Sequence, residues 1–406
     1  MAQTKLTNVP QATEIPKLDL IAEKLEKIVP DAFQPKQMIC KLEDVGCAKA
    51  SQNTLSMVLL GILAGFFIGL GAMFSTLVTT DTGLGFGLGK LIGGLAFSLG
   101  LILVVIAGAE LFTGNALIIA PWMSARVKGS QLLRNWGIVY FSNFAGALIL
   151  VAIVYYANFG ALDAYKVGAN ALIIANAKAS LAFGPALARG IMCNVLVCLA
   201  VWLCLAARSV SSKILAIIFP ITAFVACGFE HSIANMYFIP MGLAMAGQSQ
   251  VLQAAGVTAA QIPNLTVLGL ANNLIPVTIG NIIGGTAVGA IYWTIYLRKE
   301  RAAEVLAAGH PLARFAATAK AQPQKTYALD QEARALISVL AKARDDNTFL
   351  AQLSENPDKA LVGYNLSNEA KAALASGDLH WLESKIGFLD EPLRTWFTSR
   401  LSQEKW

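Results

Sequence analysis

Two carboxylates stand in strongly apolar stretches of this sequence, and each is followed by an asparagine after four intervening residues. Glu110 and Asn115 lie in GAELFTGN, and Glu230 and Asn235 lie in GFEHSIAN. His231 directly follows Glu230, and an unperturbed histidine titrates near neutral pH, so it can donate a proton or a hydrogen bond. An ionisable group inside an apolar span is a functional candidate. We therefore expect His231 to act in moving a solute across a membrane.

The two carboxylates have a structural alternative. Where a helix breaks inside a membrane, a buried carboxylate can accept hydrogen bonds from the freed backbone N–H groups and hold the break in shape. Because an intramembrane charge is unfavourable, we favour this structural role for Glu110 and Glu230.

The elements that position these residues are predicted to be membrane helices. The chain has 406 residues, of which 56% are hydrophobic and only 14% charged, against roughly 25% charged in soluble domains. A helix needs roughly 20 apolar residues to cross hydrocarbon about 30 Å thick. Six stretches meet this requirement: about 53–79, 88–120, 131–157, 181–207, 213–245 and 269–297. The second and fifth are long enough to predict an interruption midway.

Basic residues alternate between the connecting segments. Arg126, Lys128 and Arg134 lie in or near the link between the second and third spans, whereas the 80–87 loop has no basic residue. The positive-inside rule then predicts that both termini are cytoplasmic, which agrees with six spans.

The two halves of the membrane region echo one another. The Glu-to-Asn segments fall in the two overlong spans, and Asn143 with Gly146 in the third span matches Asn281 with Gly284 in the sixth. Three spans per half is an odd number, so the second half must enter the membrane from the opposite side. In such inverted repeats the solute site lies near the midplane, where broken helices meet.

Four strings in successive spans carry a family resemblance: GAELFTGN, CNVLVCLAVW, FVACGFEHSIANMYFIPMG and NLIPVTIGNIIGG. They resemble the formate/nitrite transporter family, and the last two are most similar to its formate-channel branch. The resemblance implies a homopentamer in the bacterial cytoplasmic membrane, with one pore per protomer and no cofactor. Each protomer would have an aquaporin-like fold of six helices with the second and fifth broken.

The resemblance also implies roles for individual residues. Thr113 and His231 would face each other at the pore centre with Asn194 nearby, Lys178 would stand in the outer vestibule, and Glu230 would bond near the His231 loop. Two constrictions are implied as well: an outer one from Phe97, Leu101 and Phe224, and a cytoplasmic one from Leu111, Phe112 and Val197.

The chemistry of these residue types fits a channel or transporter for small monovalent anions, with formate as the first candidate solute. A carboxylate loses much hydration free energy in a narrow apolar constriction, and a proton or hydrogen bond from His231 would reduce that cost. Lys178, together with Arg189, would concentrate the anion. Arg189 and Cys193 depart from the formate branch, so nitrite and hydrosulfide remain alternative solutes. The Asn-Pro-Ala boxes of water channels are absent from the sequence.

Other classes of function are less well supported. No cluster with the spacing of metal ligands or catalytic nucleophiles is found, so we predict neither an enzyme nor a metal site. No basic stripe exists to meet phosphates, which argues against nucleic acid. A membrane anchor whose tail binds a cytosolic protein is the alternative from a different class.

The termini differ from the membrane region in composition. Residues 1–52 predict a cytoplasmic amphipathic segment with one helix ended by Pro30 and a second at about 36–50, lying along the membrane face. Residues 53–301 form the channel domain, 302–328 read as a linker, and 329–406 predict a small all-helical cytoplasmic domain. The expected members of its core are Phe349, Leu350, Leu353, Leu361, Leu374, Leu379, Trp381, Leu382, Leu393 and Trp396.

Overall fold

The computed structural model describes residues 32–318, 331–346, 348–349, 352–353, 356–376 and 379–386. These residues form helices and connecting loops, and none of them lies in a β-strand. They fall into two compact units, the first holding the described residues up to 318 and the second those from 331 onward.

The first half of the membrane unit begins with a helix that precedes the first span. Its elements are α1 (Pro35–Ser51), α2 (Thr54–Val78), α3 (Gly85–Leu103), a π-helical turn (Val104–Gly108), α4 (Phe112–Asn115), a 3₁₀ turn (Ala116–Ile118), α5 (Ile119–Met123) and α6 (Gly129–Tyr156). The second half repeats this order with α7 (Lys166–Ala179), α8 (Phe183–Ala206), α9 (Val210–Ala226), α10 (Ser232–Met245), a short α11 (Ser249–Ala255) and α12 (Val267–Tyr296).

Five helices among the described residues are long and apolar enough to cross a membrane: Thr54–Val78, Gly85–Gly108, Gly129–Tyr156, Phe183–Ala206 and Val267–Tyr296. The predicted fifth span corresponds to α9 and α10, which are apolar but only 17 and 14 residues long. The predictions of an all-helical membrane protein and of breaks in the second and fifth spans are confirmed.

Both breaks are made in the same way. Gly108 and Gly228 adopt left-handed backbone angles, with φ of +83° and +69°, and glycine is the residue that ends a helix in this conformation at little cost. The chain is then extended at Ala109 and Leu111, and at His231 in the second half. A new helix starts at Phe112 and at Ser232.

The repeat is larger than three spans per half. Lys49 stands twelve residues before Gly61 in the chain, and Lys178 stands twelve residues before Gly190. These lysines lie on α1 and α7. Each half is therefore a short helix followed by three spans, and residues 158–180, predicted as a loop, hold α7. The amphipathic helix predicted before Pro30 lies outside the described residues.

Close helix contacts explain the glycines at four-residue spacing. A Cβ on Gly65 of α2 would collide with the carbonyl oxygen of Asn143 on α6, and one on Gly284 of α12 would collide with the carbonyl oxygen of Ile191 on α8. Only a residue without a side chain lets these backbones approach so closely, as is common in membrane bundles.

The beginning of the predicted linker is ordered and belongs to the membrane unit, which corrects the boundary expected at Arg301. Helices α13 (Ala302–Ala307) and α14 (Ala313–Ala317) follow α12. Val305 and Ala316 are fully buried in an apolar cluster with Trp293 and Leu297. Composition alone suggested a linker because this alanine-rich segment lacks large apolar residues.

A buried carboxylate on α1 forms hydrogen bonds with the part of the membrane unit from which α13 begins. Glu43 has no solvent exposure and accepts hydrogen bonds from Ser124, Arg126 (3.3 Å) and Arg301 (2.8 Å). Trp293 Nε1 in turn donates to Ser124 Oγ at 2.6 Å. Since two arginines compensate the buried charge, Glu43 joins α1 to the segments that follow α5 and α12.

The second unit contains α15 (Gln331–Asp345), α16 (Pro357–Ala360), α17 (Asn368–Ser376) and α18 (Leu379–Ile386). Its buried residues include the predicted Phe349, Leu353, Leu361, Leu374 and Leu382, while Trp381 packs against them half-buried. Leu350, Leu393 and Trp396 lie outside the described residues, as does the side chain of Leu379. Leu336, Val339 and Leu340 of α15 complete the cluster.

We predict that a chain ending at Ala321 keeps the stability of the membrane unit, whereas a chain ending at Arg301 loses part of it. The shorter chain lacks Val305 and Ala316, and burial of one valine side chain contributes about 1.5 to 3 kcal/mol. Thermal unfolding in detergent, followed by size-exclusion chromatography, should show a midpoint lower by several degrees for the shorter chain only.

Equal midpoints for the two truncated chains would show that α13 and α14 add nothing to the membrane unit. Loss of folding in the chain that ends at Ala321 would show that the two units do not fold separately.

Candidate functional site

The two helix breaks meet at a buried hydrogen bond. Thr113 Oγ1 lies 2.9 Å from His231 Nε2, and the two residues are 0% and 2% exposed. Thr113 stands in the first turn of α4, and His231 is the last extended residue before α10. The structure thus brings together two residues that are 118 positions apart in the chain.

The hydrogen bonds of His231 define its tautomer. The backbone N–H of Ala234 donates to Nδ1 at 3.0 Å, so Nδ1 acts as an acceptor and carries no proton in this arrangement. The proton of the neutral ring is therefore on Nε2, which donates to Thr113 Oγ1. The imidazole also stacks on Phe224 with ring centroids 5.9 Å apart, so the ring is held from two sides.

Asn194 fixes the backbone at this contact. Its Nδ2 donates to the carbonyl oxygens of Thr113 (3.1 Å) and Asn281 (2.6 Å). Cys198 lies one turn further along α8, and its thiol is 3.5 Å from the Thr113 carbonyl oxygen. The expectation that Asn194 lies near Thr113 and His231 therefore agrees with the geometry, and its contacts are to backbone carbonyls.

The first break is held by a network around Glu110. The carboxylate accepts hydrogen bonds from Lys49 Nζ (2.7 Å) and Asn115 Nδ2 (2.7 Å), and Asn115 Nδ2 also donates to Asn135 Oδ1 (2.8 Å). Asn143 Oδ1 accepts from the first amide of α4, at Phe112 (3.0 Å), while its Nδ2 donates to the carbonyl oxygen of Glu110 (2.8 Å). The freed backbone groups of the break thus find partners within the protein.

The second break repeats this network atom for atom. Glu230 accepts from Lys178 Nζ (3.0 Å) and Asn235 Nδ2 (2.6 Å), and Asn235 Nδ2 also donates to Asn273 Oδ1 (2.7 Å). Asn281 takes the place of Asn143, since it accepts from the Ser232 amide (2.9 Å) and donates to the Glu230 carbonyl oxygen (2.9 Å). Both carboxylates thus hold a break in shape, but not through the backbone N–H groups expected from the sequence. Their donors are lysine and asparagine side chains, and the freed amides bond to Asn143 and Asn281 instead.

Lys49 is the functional candidate that the sequence reading did not identify. It forms an ion pair with Glu110 as Lys178 does with Glu230, but it lies in an amphipathic segment where a lysine is unremarkable. Lys49 precedes Gly61 by the same number of residues as Lys178 precedes Gly190. This equal spacing is the signal that could have revealed Lys49.

Two cavities lead toward the Thr113–His231 contact. One of about 490 Å³ is bordered by Lys178, Glu230 and His231, and we call it the Lys178 cavity. The other, of about 530 Å³, is bordered by Lys49, Glu110 and Leu111, and we call it the Lys49 cavity. Each break thus contributes its charged network to one cavity.

The six predicted constriction residues are all buried in one apolar cluster, but they do not all line a cavity. Phe97 and Phe224 border the Lys178 cavity, with ring centroids 5.5 Å apart in an edge-to-face pair. Leu101, one turn beyond Phe97 on α3, borders the Lys49 cavity with Leu111. Leu101 thus lies where the two cavities approach each other along α3, and its place in the outer constriction stays a prediction.

Phe112 and Val197 line neither of these two cavities. The Phe112 ring packs edge-to-face on Tyr140 at 4.9 Å and on Trp136 at 6.3 Å, because its position at the start of α4 turns the side chain into the bundle. Val197 is 1% exposed on α8.

Polar contacts join α7 to the end of α2 and to the loop that follows it, beside the Lys178 cavity. Asn170 of α7 donates to the Thr76 carbonyl oxygen (2.9 Å) and to Thr79 Oγ1 (3.1 Å). Lys166 Nζ lies 2.6 Å from the Asp81 carboxylate, and this hydrogen bond lowers the pKa of Asp81 below its ordinary value. Both side chains are exposed, so the ion pair contributes little to the stability of the fold.

Among the described residues, no group of three or more His, Cys, Asp or Glu side chains is placed to hold a metal ion.

Known proteins share this architecture. The profile of the family described as formate/nitrite transporter matches residues 36–294. The formate channel FocA of Escherichia coli strain K12 is 42% identical over 274 residues, covering 66% of this chain and 96% of that protein. A probable formate transporter of Methanothermobacter thermautotrophicus is 40% identical over 262 residues, covering 60% and 89%.

A solved structure described as a pentameric formate channel with formate bound is also similar. It is 44% identical, aligns with a TM-score of 0.57, and covers 60% of this chain and 98% of its own. The match of the family profile to more than half of the sequence, together with these relatives, shows that the chain belongs to the formate/nitrite transporter family.

Proposed function

We propose that the protein is a channel for small monovalent anions, with formate as the first candidate. The observation that carries this proposal is the buried Thr113–His231 contact, approached by one cavity from each helix break. The relatives described as formate channels support the same solute. The solved formate channel is pentameric, so we further propose a homopentamer with one pore in each protomer.

The proposed path begins and ends at a lysine. Lys178 and Lys49 border the two cavities, and each can share its hydrogen bonds between a carboxylate of the protein and a passing anion. Between them lie apolar side chains, where an anion that has lost its hydration would be strongly disfavoured. The barrier of Phe97, Phe224, Leu101 and Leu111 therefore has to be crossed with help from polar groups.

His231 supplies that help as a hydrogen-bond donor. Its Nε2–H points to Thr113 Oγ1 in the resting arrangement, and a carboxylate oxygen that displaces Thr113 would accept the same hydrogen bond. A proton donor would need a second proton on Nδ1, where the Ala234 N–H points. Of the two roles expected for His231, the hydrogen bond is therefore better supported than proton transfer.

The membrane orientation follows from the basic segments. Arg126, Lys128 and Arg134 lie near the ends of α5 and α6, at the same side as α1. The positive-inside rule then assigns the Lys49 cavity to the cytoplasm and the Lys178 cavity to the outside of a bacterial cytoplasmic membrane. Both termini would be cytoplasmic.

A solute panel tests the proposal against its alternatives. Purified protein in liposomes should pass formate faster than nitrite or hydrosulfide, and protein-free liposomes provide the baseline. Preference for nitrite or hydrosulfide would reassign the solute within the family. A protein that carries none of the three anions would instead support the anchor whose helical tail binds a cytosolic partner. We propose no enzymatic activity.

We predict that His231→Phe strongly lowers formate uptake at every pH, whereas His231→Gln retains part of the uptake. Phenylalanine roughly keeps the ring volume but removes the donor, while glutamine keeps an N–H donor that does not titrate. Uptake by both variants should be measured between pH 5 and 8, a range of about 1.5 units to either side of the ordinary histidine pKa, with assembly checked by size-exclusion chromatography.

Equal loss of uptake in the two variants would favour proton transfer by His231 over the hydrogen bond. Wild-type uptake by His231→Phe across this pH range would remove His231 from the mechanism altogether.

We predict that Lys178→Gln destabilises the protein more than the double change Lys178→Gln with Glu230→Gln. The Glu230 side chain is 4% exposed, and the loss of one partner of a buried ion pair costs about 3 kcal/mol because a charge is left uncompensated. Thermal unfolding of the wild type, the two single variants and the double variant forms a double-mutant cycle.

The same cycle on Lys49 and Glu110 is the matched control from the other half, and it should show a coupling of the same sign. Additive effects in both cycles would mean that the ion pairs do not support the breaks.

A further inference from the structure

The two cavities differ in the charge of their walls. The Lys49 cavity is bordered by one lysine and one carboxylate, Lys49 and Glu110, which form an ion pair. The Lys178 cavity is bordered by the equivalent pair, Lys178 with Glu230, and in addition by Lys90 and Arg189. The first wall is therefore neutral in sum, and the second carries two positive charges in excess.

The excess positive charge does not come from Lys178, because Glu230 compensates the charge of this lysine. Its ammonium group is 3.0 Å from Glu230, and its side chain is only 16% exposed. Among the residues that the structure describes, neither Arg189 nor Lys90 has a carboxylate within 4.0 Å. Lys90 lies over the Phe86 ring at 5.7 Å and keeps its charge. Of these two residues, Arg189 is the one that offers a guanidinium to a ligand.

The repeat shows that Arg189 is a departure from symmetry. Arg189 directly precedes Gly190, as Leu60 directly precedes Gly61. Their carbonyl oxygens accept the equivalent amides, Glu110 N–H at 3.2 Å and Glu230 N–H at 3.3 Å. Both side chains border their own cavities. The same position is thus apolar at one mouth and cationic at the other, on a backbone held in the same way.

We propose that Arg189 is the anion-binding residue at the mouth of the Lys178 cavity and that it selects anions with two oxygen atoms on one centre. This inference rests on the proposed anion conduction and names the subsite that captures the solute. A guanidinium presents parallel N–H donors whose spacing matches the two oxygens of a carboxylate. Formate and nitrite both offer such a pair of oxygens.

Hydrosulfide has a single heavy atom and cannot engage the guanidinium in this fork geometry. It is attracted only by the positive charge, to which Lys90 contributes from the same wall. Arg189 therefore separates formate and nitrite from hydrosulfide, although it does not separate formate from nitrite. Capture at Arg189 precedes the apolar barrier, so its effect falls on the concentration needed for half-maximal uptake.

The test compares Arg189→Lys with Arg189→Gln in liposomes, for formate and for hydrosulfide. Lysine keeps the charge but not the fork, and glutamine removes both. Arg189→Gln should raise the half-saturating formate concentration about tenfold, since hydrogen bonds to charged groups contribute about 1.5 kcal/mol or more. Arg189→Lys should raise it by roughly threefold while leaving the value for hydrosulfide unchanged. Lys299→Gln, an exposed position after α12, is the control for charge loss elsewhere.

Three results would overturn the assignment while the wild type still conducts formate. They are an unchanged half-saturating concentration in Arg189→Gln, a wild-type value for formate in Arg189→Lys, and equal shifts for formate and hydrosulfide in Arg189→Lys. Elution of each variant at the wild-type volume confirms that it is folded. A wild-type protein that passes no anion would overturn the proposed function itself, which is a different failure.

Discussion

The structure depends on one constraint, which is that backbone freed from helix inside a membrane must find hydrogen-bond partners in the protein. Two spans are broken at Gly108 and Gly228, and each break frees amides and carbonyls far from water. Asn143 and Asn281 answer this need by bonding both an amide and a carbonyl of the facing break. The breaks are therefore stable inside the membrane unit, and they bring the side chains of Thr113 and His231 together at its centre.

The carboxylates of the breaks create a second problem, because a buried negative charge opposes the passage of anions. Lys49 and Lys178 solve it by pairing with Glu110 and Glu230. Lys49 and Lys178 lie in the last turns of α1 and α7. Their pairing with the carboxylates explains why each half of the repeat has a helix before its first span. In this arrangement α1 is part of the path, and its fastening through Glu43 holds Lys49 in place.

Much of this could be predicted from the sequence, and the failures have physical causes. Length and apolar composition gave the spans, and the matched Glu-to-Asn segments indicated the breaks. The meeting of Thr113 with His231 was implied by the family resemblance alone. The constriction roles of Phe112 and Leu101 stay predictions, because the direction of a side chain inside a bundle is not encoded in its sequence neighbours. Lys49 was missed because its role depends on a contact with Glu110, which is 61 positions away in the chain.

Function arises where the two halves stop being alike. The networks around the breaks are duplicated, and a fully symmetric protein would present the same surface to both sides of the membrane. His231 stands where the first half has Leu111, Asn194 where it has Gly65, and Arg189 where it has Leu60. Each exchange adds a polar or charged group to the second half alone. The duplicated networks already satisfy the backbone freed at Gly108 and Gly228. Asn194 adds hydrogen bonds to two backbone carbonyls, and His231 Nδ1 accepts the Ala234 N–H. The groups left to be directed at the solute are therefore the Nε2–H of His231 and the guanidinium of Arg189.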